Sequence, residues 1–196
     1  MPEIISQAAT TYITHAYNAR IDVPPIRVVV SVAAVSVRPF LKSCVGEGRM
    51  GASGWDYSVP YQEDLVGAFD ALRRKVFAAR DYYWGPGGDW RPEEERLPWP
   101  ETEEELWEHE LVQHDGTHSI LDIFRIIGPD EEPDYSTMKQ VTEEEALRVL
   151  GTRKLSRAHV PRFEEFDHWR WYGRCAVLHD DQGEPQEIYF WGFSGD

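Results

Sequence analysis

Four polar residues lie close enough along the chain to share a site: His109, His114, Asp115 and His118. Histidines at i and i+4, as His114 and His118 are, share one face of a helix, where they would hold zinc beside a carboxylate base. That geometry makes His114, Asp115 and His118 the candidate catalytic residues and His109, His114 and His118 the candidate metal ligands. Against it stands Asp115-Gly116, a turn-forming pair between the two histidines, and no glutamate adjoins His114 to act as base. A turn with exposed histidines is therefore the expected arrangement, with no metal and no cofactor.

Cys175 and His179 have the residue types of a nucleophile and its base. Four residues along one strand separate them by roughly 13 Å at about 3.3 Å per residue, beyond hydrogen-bond reach. Cys175 is instead expected to pack as a small buried apolar side chain. Gly85-Pro86-Gly87-Gly88 is not followed by Lys-Ser/Thr, as a phosphate-binding loop would be, and Ser194-Gly195 is too near the end of the chain to open a helix as a nucleophile elbow does.

The elements that would position these residues begin beyond Pro60. Leu65, Phe69, Leu72 and Val76 recur at i, i+4, i+7 and i+11, which predicts a helix, with Pro60 opening the segment. Thr102-Glu103-Glu104-Glu105 and Thr142-Glu143-Glu144-Glu145 both fit the capping box and predict two further helix starts; the second helix stops at Gly151. Residues 118–127 are apolar on both faces and read as a central strand. Residues 169–179 and 186–193 read as two strands joined by Asp180-Asp181-Gln182-Gly183-Glu184-Pro185, a strong hairpin signal. On one face of that hairpin Trp169, Trp171, Tyr189, Trp191 and Phe193 are expected to line up as cross-strand neighbours. The fold class that follows is α+β: a single domain with a mainly antiparallel sheet and a C-terminal hairpin packed against two to three helices.

A long segment, residues 84–100, carries Trp84, Trp90 and Trp99 among three glycines and four prolines, with Glu93, Glu94 and Glu95 in its middle. Loops of this length are uncommon inside compact domains unless they serve a function. Trp anchors ringed by acids resemble interface chemistry, so these six residues form the candidate partner-binding loop.

Charge gives the loop its context. Residues 1–49 hold five Lys/Arg and three Asp/Glu, whereas the 147 residues that follow hold 15 and 32, net −17, together with all eight tryptophans. Residues 1–49 are therefore read as an N-terminal arm or a non-native extension ahead of Met50, and residues 50–196 as an acidic α+β domain. Such a field repels phosphate backbones and anionic headgroups, which disfavours direct nucleic-acid and membrane binding, and attracts a basic protein. Two cysteines without zinc spacing, and no apolar run long enough to span a bilayer, point to a cytoplasmic, bacterial-type protein. Binding is the expected function: a neutraliser or adaptor for a basic protein, comparable in charge and size to small immunity proteins and antitoxins. The alternatives are a hydrolase built on His114, Asp115 and His118, and an inhibitor whose carboxylates mimic nucleic acid.

Overall fold

In the computed structural model, which describes residues 52–195, the periodic apolar face found in the sequence is helix α1, Leu65–Ala79, with Ala68, Phe69, Leu72 and Val76 buried. The helix starts later than Pro60 implied. Pro60 closes strand β1, Gly54–Pro60, and Asp64 is the N-cap, its carboxylate accepting the Gly67 amide at 2.9 Å. The readings placed on residues 1–49 lie outside the described residues.

The two predicted capping threonines both cap. Thr102 accepts the Glu105 amide at the start of α2, Glu103–Glu108, and Thr142 accepts the Glu145 amide at the start of α4, Glu143–Leu150. Gly151 ends α4 at φ +78°, a left-handed position that glycine occupies without steric cost. A further short helix, α3, Glu110–Asp115, follows α2 directly.

Five strands form one sheet in the order β1-β5-β4-β3-β2. Strands β4, Tyr172–His179, and β5, Pro185–Phe193, are the predicted hairpin, and β1 adds antiparallel to β5. At the turn the Asp180 carboxylate accepts the amides of Gln182 and Glu184, and Gly183 takes φ +80°. The other two strands, β2, Arg125–Ile127, and β3, Thr137–Gln140, are parallel to β4. The protein is thus an α+β domain whose sheet is mixed rather than mainly antiparallel throughout.

The central strand expected over residues 118–127 is absent. Residues Ile120–Asp122 form a 3-10 turn opened by Ser119, and only Arg125–Ile127 enters the sheet, at its edge. The run is apolar on both sides because the turn itself is enclosed, with Ile120, Leu121 and Ile123 fully buried.

Both faces of the sheet are covered, which is why β4 and β5 read as almost continuously apolar. Cys175, Ile188 and Phe190 face α1 and the 3-10 turn, together with Trp55, Tyr57 and Met138. Ala176, Leu178, Tyr189 and Trp191 face α4 and a long 3-10 segment, Arg157–Glu165, which contributes Phe163. Tyr189, Trp191 and Phe193 of the five expected hairpin aromatics lie on that face of β5 by strand alternation. Trp169 and Trp171 precede β4, Trp169 stacking on Tyr172 at 4.0 Å, while Phe193 stacks on His168 at 5.0 Å.

The Trp55 indole lies over Gly192, where β1, β5 and β4 run side by side and Gly192 pairs with Gly173. A methyl group on Gly192 would point into that indole. Gly192→Ala is expected to displace Trp55 and cost about 2 kcal/mol, the usual scale of overpacking. Urea titration followed by tryptophan fluorescence would read this, and an unchanged midpoint would contradict the close packing.

Candidate functional site

The histidines picked out by spacing do not converge. His109 is the hinge between α2 and α3, its Nδ1 accepting the Leu111 amide at 3.2 Å, and its ring meets Trp84 edge-on at 5.5 Å. His114 projects into solvent in the last turn of α3 and contacts only its neighbour Asp115, Nδ1 to Oδ1 at 2.5 Å. His118 takes φ +52° beyond Gly116 and stacks on Tyr83 at 4.6 Å. Helix α3 ends at Asp115, so His114 and His118 never share a helical face. No group of three or more His, Cys, Asp or Glu side chains among the described residues could hold a metal ion. His118 lies near enough to Asp122 to act on its carboxyl electrostatically.

Asp122 is the carboxylate that spacing did not single out. It is completely buried, and three groups donate to it: the Thr117 amide at 2.6 Å, the Thr117 hydroxyl at 2.7 Å and the Ser194 hydroxyl at 2.5 Å. Burial raises its pKa, while these hydrogen bonds and nearby His118 pull the other way. The 3-10 turn is what folds the carboxylate back toward Thr117, and Gly116, at φ +84°, passes so close that a side chain there would meet Asp122. Thr117, Ser119, Asp122 and Ser194 are all fully buried, so no substrate reaches them. Their chemistry is a pin between the 3-10 turn and the end of β5, where the Ser194 amide also donates to the Ser53 carbonyl at 2.9 Å. The one clue in the sequence is a lone acid inside Ile120-Leu121-Asp122-Ile123.

Cys175 is fully buried, and burial pushes its thiol up to about 12, which removes it as a nucleophile at neutral pH. His179 lies further along the same strand, with its Nδ1 3.1 Å from the Leu155 carbonyl oxygen. A groove of about 410 Å³ opens near the carboxyl ends of β2, β3 and β4, lined in part by Gln140, Glu143, Arg153 and His179. None of His109, His114 and His118 lines it.

The tryptophan loop divides into anchors and a presented residue. Trp84 is buried, its indole N–H donating to the Leu97 carbonyl at 3.4 Å. Trp99 packs on the core and meets Tyr82 edge-on at 5.1 Å, with the Arg80 guanidinium 5.6 Å from its ring. Both hold the loop down rather than present it. Between them the Leu97 amide donates to the Pro86 carbonyl, and Arg96 donates to the carbonyls of Asp89 and Arg91, each at 3.0 Å. These bonds leave Trp90 at the tip, 64% exposed, with Arg91 4.5 Å over one face of its ring. Glu93, Glu94 and Glu95 form an exposed 3-10 turn beside it.

No helix among the described residues is long and apolar enough to cross a membrane. Comparison with protein-family models, curated proteins and solved structures gives no match to this chain.

Proposed function

We propose that this domain is a cytoplasmic protein-binding module that neutralises or carries a basic partner. The observation supporting this reading is Trp90: a large apolar side chain held out in solvent on a loop pinned at both sides, next to three exposed glutamates. A solvent-exposed Trp on a fixed backbone costs little entropy to bury in a partner, and central Trp residues commonly carry interface energy. The glutamates, in a domain of net charge −17 on 147 residues, would steer a cationic surface toward it.

The test is a co-purification from the organism that encodes the chain, followed by affinity measurement with the recovered protein. A stoichiometric basic partner is expected. Trp90→Ala should weaken it by roughly 30-fold, the scale of an interface hot spot of about 2 kcal/mol. Neutralising Glu93, Glu94 and Glu95 together to Gln should slow association and flatten its salt dependence. A partner that is acidic, or whose affinity is indifferent to Trp90, would overturn the reading.

A further inference from the structure

Apart from the loop, the surface carries a second aromatic cluster, assembled from four separate segments. Trp107 of α2 meets Phe124 edge-on at 5.0 Å and Trp171 at 6.0 Å, and Trp171 contacts Tyr135 at 4.8 Å. Phe124 and Tyr135 are each about half exposed, at 51% and 52%, and Trp107 and Trp171 are partly exposed. Contiguous exposed rings of this kind mark interaction sites, because a monomer gains by burying them.

The backbone beneath the rings is held rigidly and under strain. Trp171 takes φ +61° and Ser136 φ +55°, left-handed values that are unfavourable for residues with a Cβ. A row of backbone hydrogen bonds fixes them: the Trp171 amide donates to Phe193, the Ser136 amide to Trp171 at 2.8 Å and the Phe124 amide to Ser136 at 2.8 Å. Each of Phe124, Ser136 and Trp171 immediately precedes a strand, so the row extends the sheet by one step. The parallel strands β2 and β3 are joined by residues 128–136 without a helix, a shorter crossover than parallel pairs usually need, and that crossover delivers Tyr135 to the cluster. The rings are thus pre-positioned, which lowers the cost of binding on them.

Charge selects the occupant. Glu104 and Glu108 of α2 flank Trp107, and Asp134 precedes Tyr135; all three are exposed and form no ion pair among the described residues. Of the nearby cations, Arg73 is paired with Glu103 and Arg125 with Glu131, while Arg170 donates to the Gly195 carbonyl at 3.2 Å. Arg73 also places its guanidinium 5.9 Å from the Phe124 ring centroid, so one ring of the cluster already accommodates an arginine. Planar guanidinium groups stack on aromatic rings and pair with carboxylates more readily than ammonium groups do.

We infer that Trp107, Phe124, Tyr135 and Trp171 form a docking surface for an arginine-bearing segment of a basic protein. This surface is built from other elements than the Trp90 loop and does not depend on it.

The probe is a synthetic peptide of alternating arginine and glycine, compared with its lysine counterpart of equal charge, titrated into the full chain by calorimetry and tryptophan fluorescence. The arginine peptide should bind about tenfold more tightly than the lysine peptide. Phe124→Ala and Tyr135→Ala, both at half-exposed positions, should each weaken it by about tenfold while leaving the melting temperature within about 2 °C, whereas Trp90→Ala should change it less than twofold. Equal binding of the two peptides would reduce the effect to net charge and overturn the inference. So would indifference to Phe124 and Tyr135, absence of binding, or loss on Trp90→Ala alone. A failure here with an intact Trp90 effect on the natural partner would leave the proposed function standing.

Discussion

Asp122→Ala is expected to lower stability by about 3–5 kcal/mol, because it removes the acceptor for three buried donors and leaves a small cavity behind. Against a typical total of about 5–15 kcal/mol that is a large fraction, equivalent to a melting temperature lower by about 10 °C or more. Asp122→Asn keeps the shape, can still accept from Thr117 and can donate to Ser194, so its cost should be about 1–1.5 kcal/mol. Urea titrations of the three proteins decide the matter. An alanine variant within about 1 kcal/mol of the parent would mean that the buried carboxylate holds nothing together.

The same residue sets a pH dependence with a defined sign. Burial raises the Asp122 pKa in the folded protein, so the native state keeps a proton where the unfolded chain, with a carboxyl pKa of about 3.9, has lost it. The contribution is complete below the unfolded pKa and declines as pH rises through the folded one. Asp122→Asn cannot titrate, so the stability difference between parent and Asn variant should fall as pH rises from about 4 toward neutrality. Denaturation curves across that range would show it, and a difference that rises with pH would contradict the assignment.

The second large effect lies on the other face of the sheet. Arg174 on β4 donates to Glu145 of α4 at 2.5 Å, with side chains only 4% and 17% exposed, and its guanidinium sits 5.7 Å from the Phe166 ring. Glu145→Ala strands a buried cation and should cost about 3–4 kcal/mol. Arg174→Met should cost less, about 1–2 kcal/mol, because Glu145 is nearer solvent and can hydrate. The double variant Glu145→Leu, Arg174→Met should come back to within about 1 kcal/mol of the parent, since an apolar pair of similar size needs no desolvation of charge. Additive losses in this cycle would show that the two side chains do not depend on each other.

Neither capping box closes on its N-cap amide, and in the second this pair is the reason. In the first, Glu105 reaches back past the Thr102 cap to the Glu101 amide at 2.8 Å. In the second, Glu145 turns instead to Arg174, a residue 29 positions away that nothing in Thr142-Glu143-Glu144-Glu145 announces. Similarly, Asp115-Gly116 was a sound turn signal, and that turn is what separates His114 from His118. Where His118 went next depended on Tyr83 and Asp122, which local spacing does not report. In the tryptophan loop, composition marked the segment but did not distinguish Trp90 from Trp84 and Trp99, since all three look alike until there is a core for two of them to enter.

The α1 face, both threonine caps, the Gly151 stop, the Asp180–Pro185 turn and the burial of Cys175 were all legible in the order of residues. Each follows from residues within a few positions of one another, where backbone hydrogen bonding and side-chain periodicity act directly. Long-range packing is what makes residues 118–127 an enclosed turn and an edge strand, brings Asp122 to Ser194 across 72 residues, and gathers Trp107, Phe124, Tyr135 and Trp171 on one surface. Those contacts join segments whose proximity depends on the order of strands in the sheet and on what covers each face. A run buried on all sides looks the same in sequence whether it is a central strand or a packed turn.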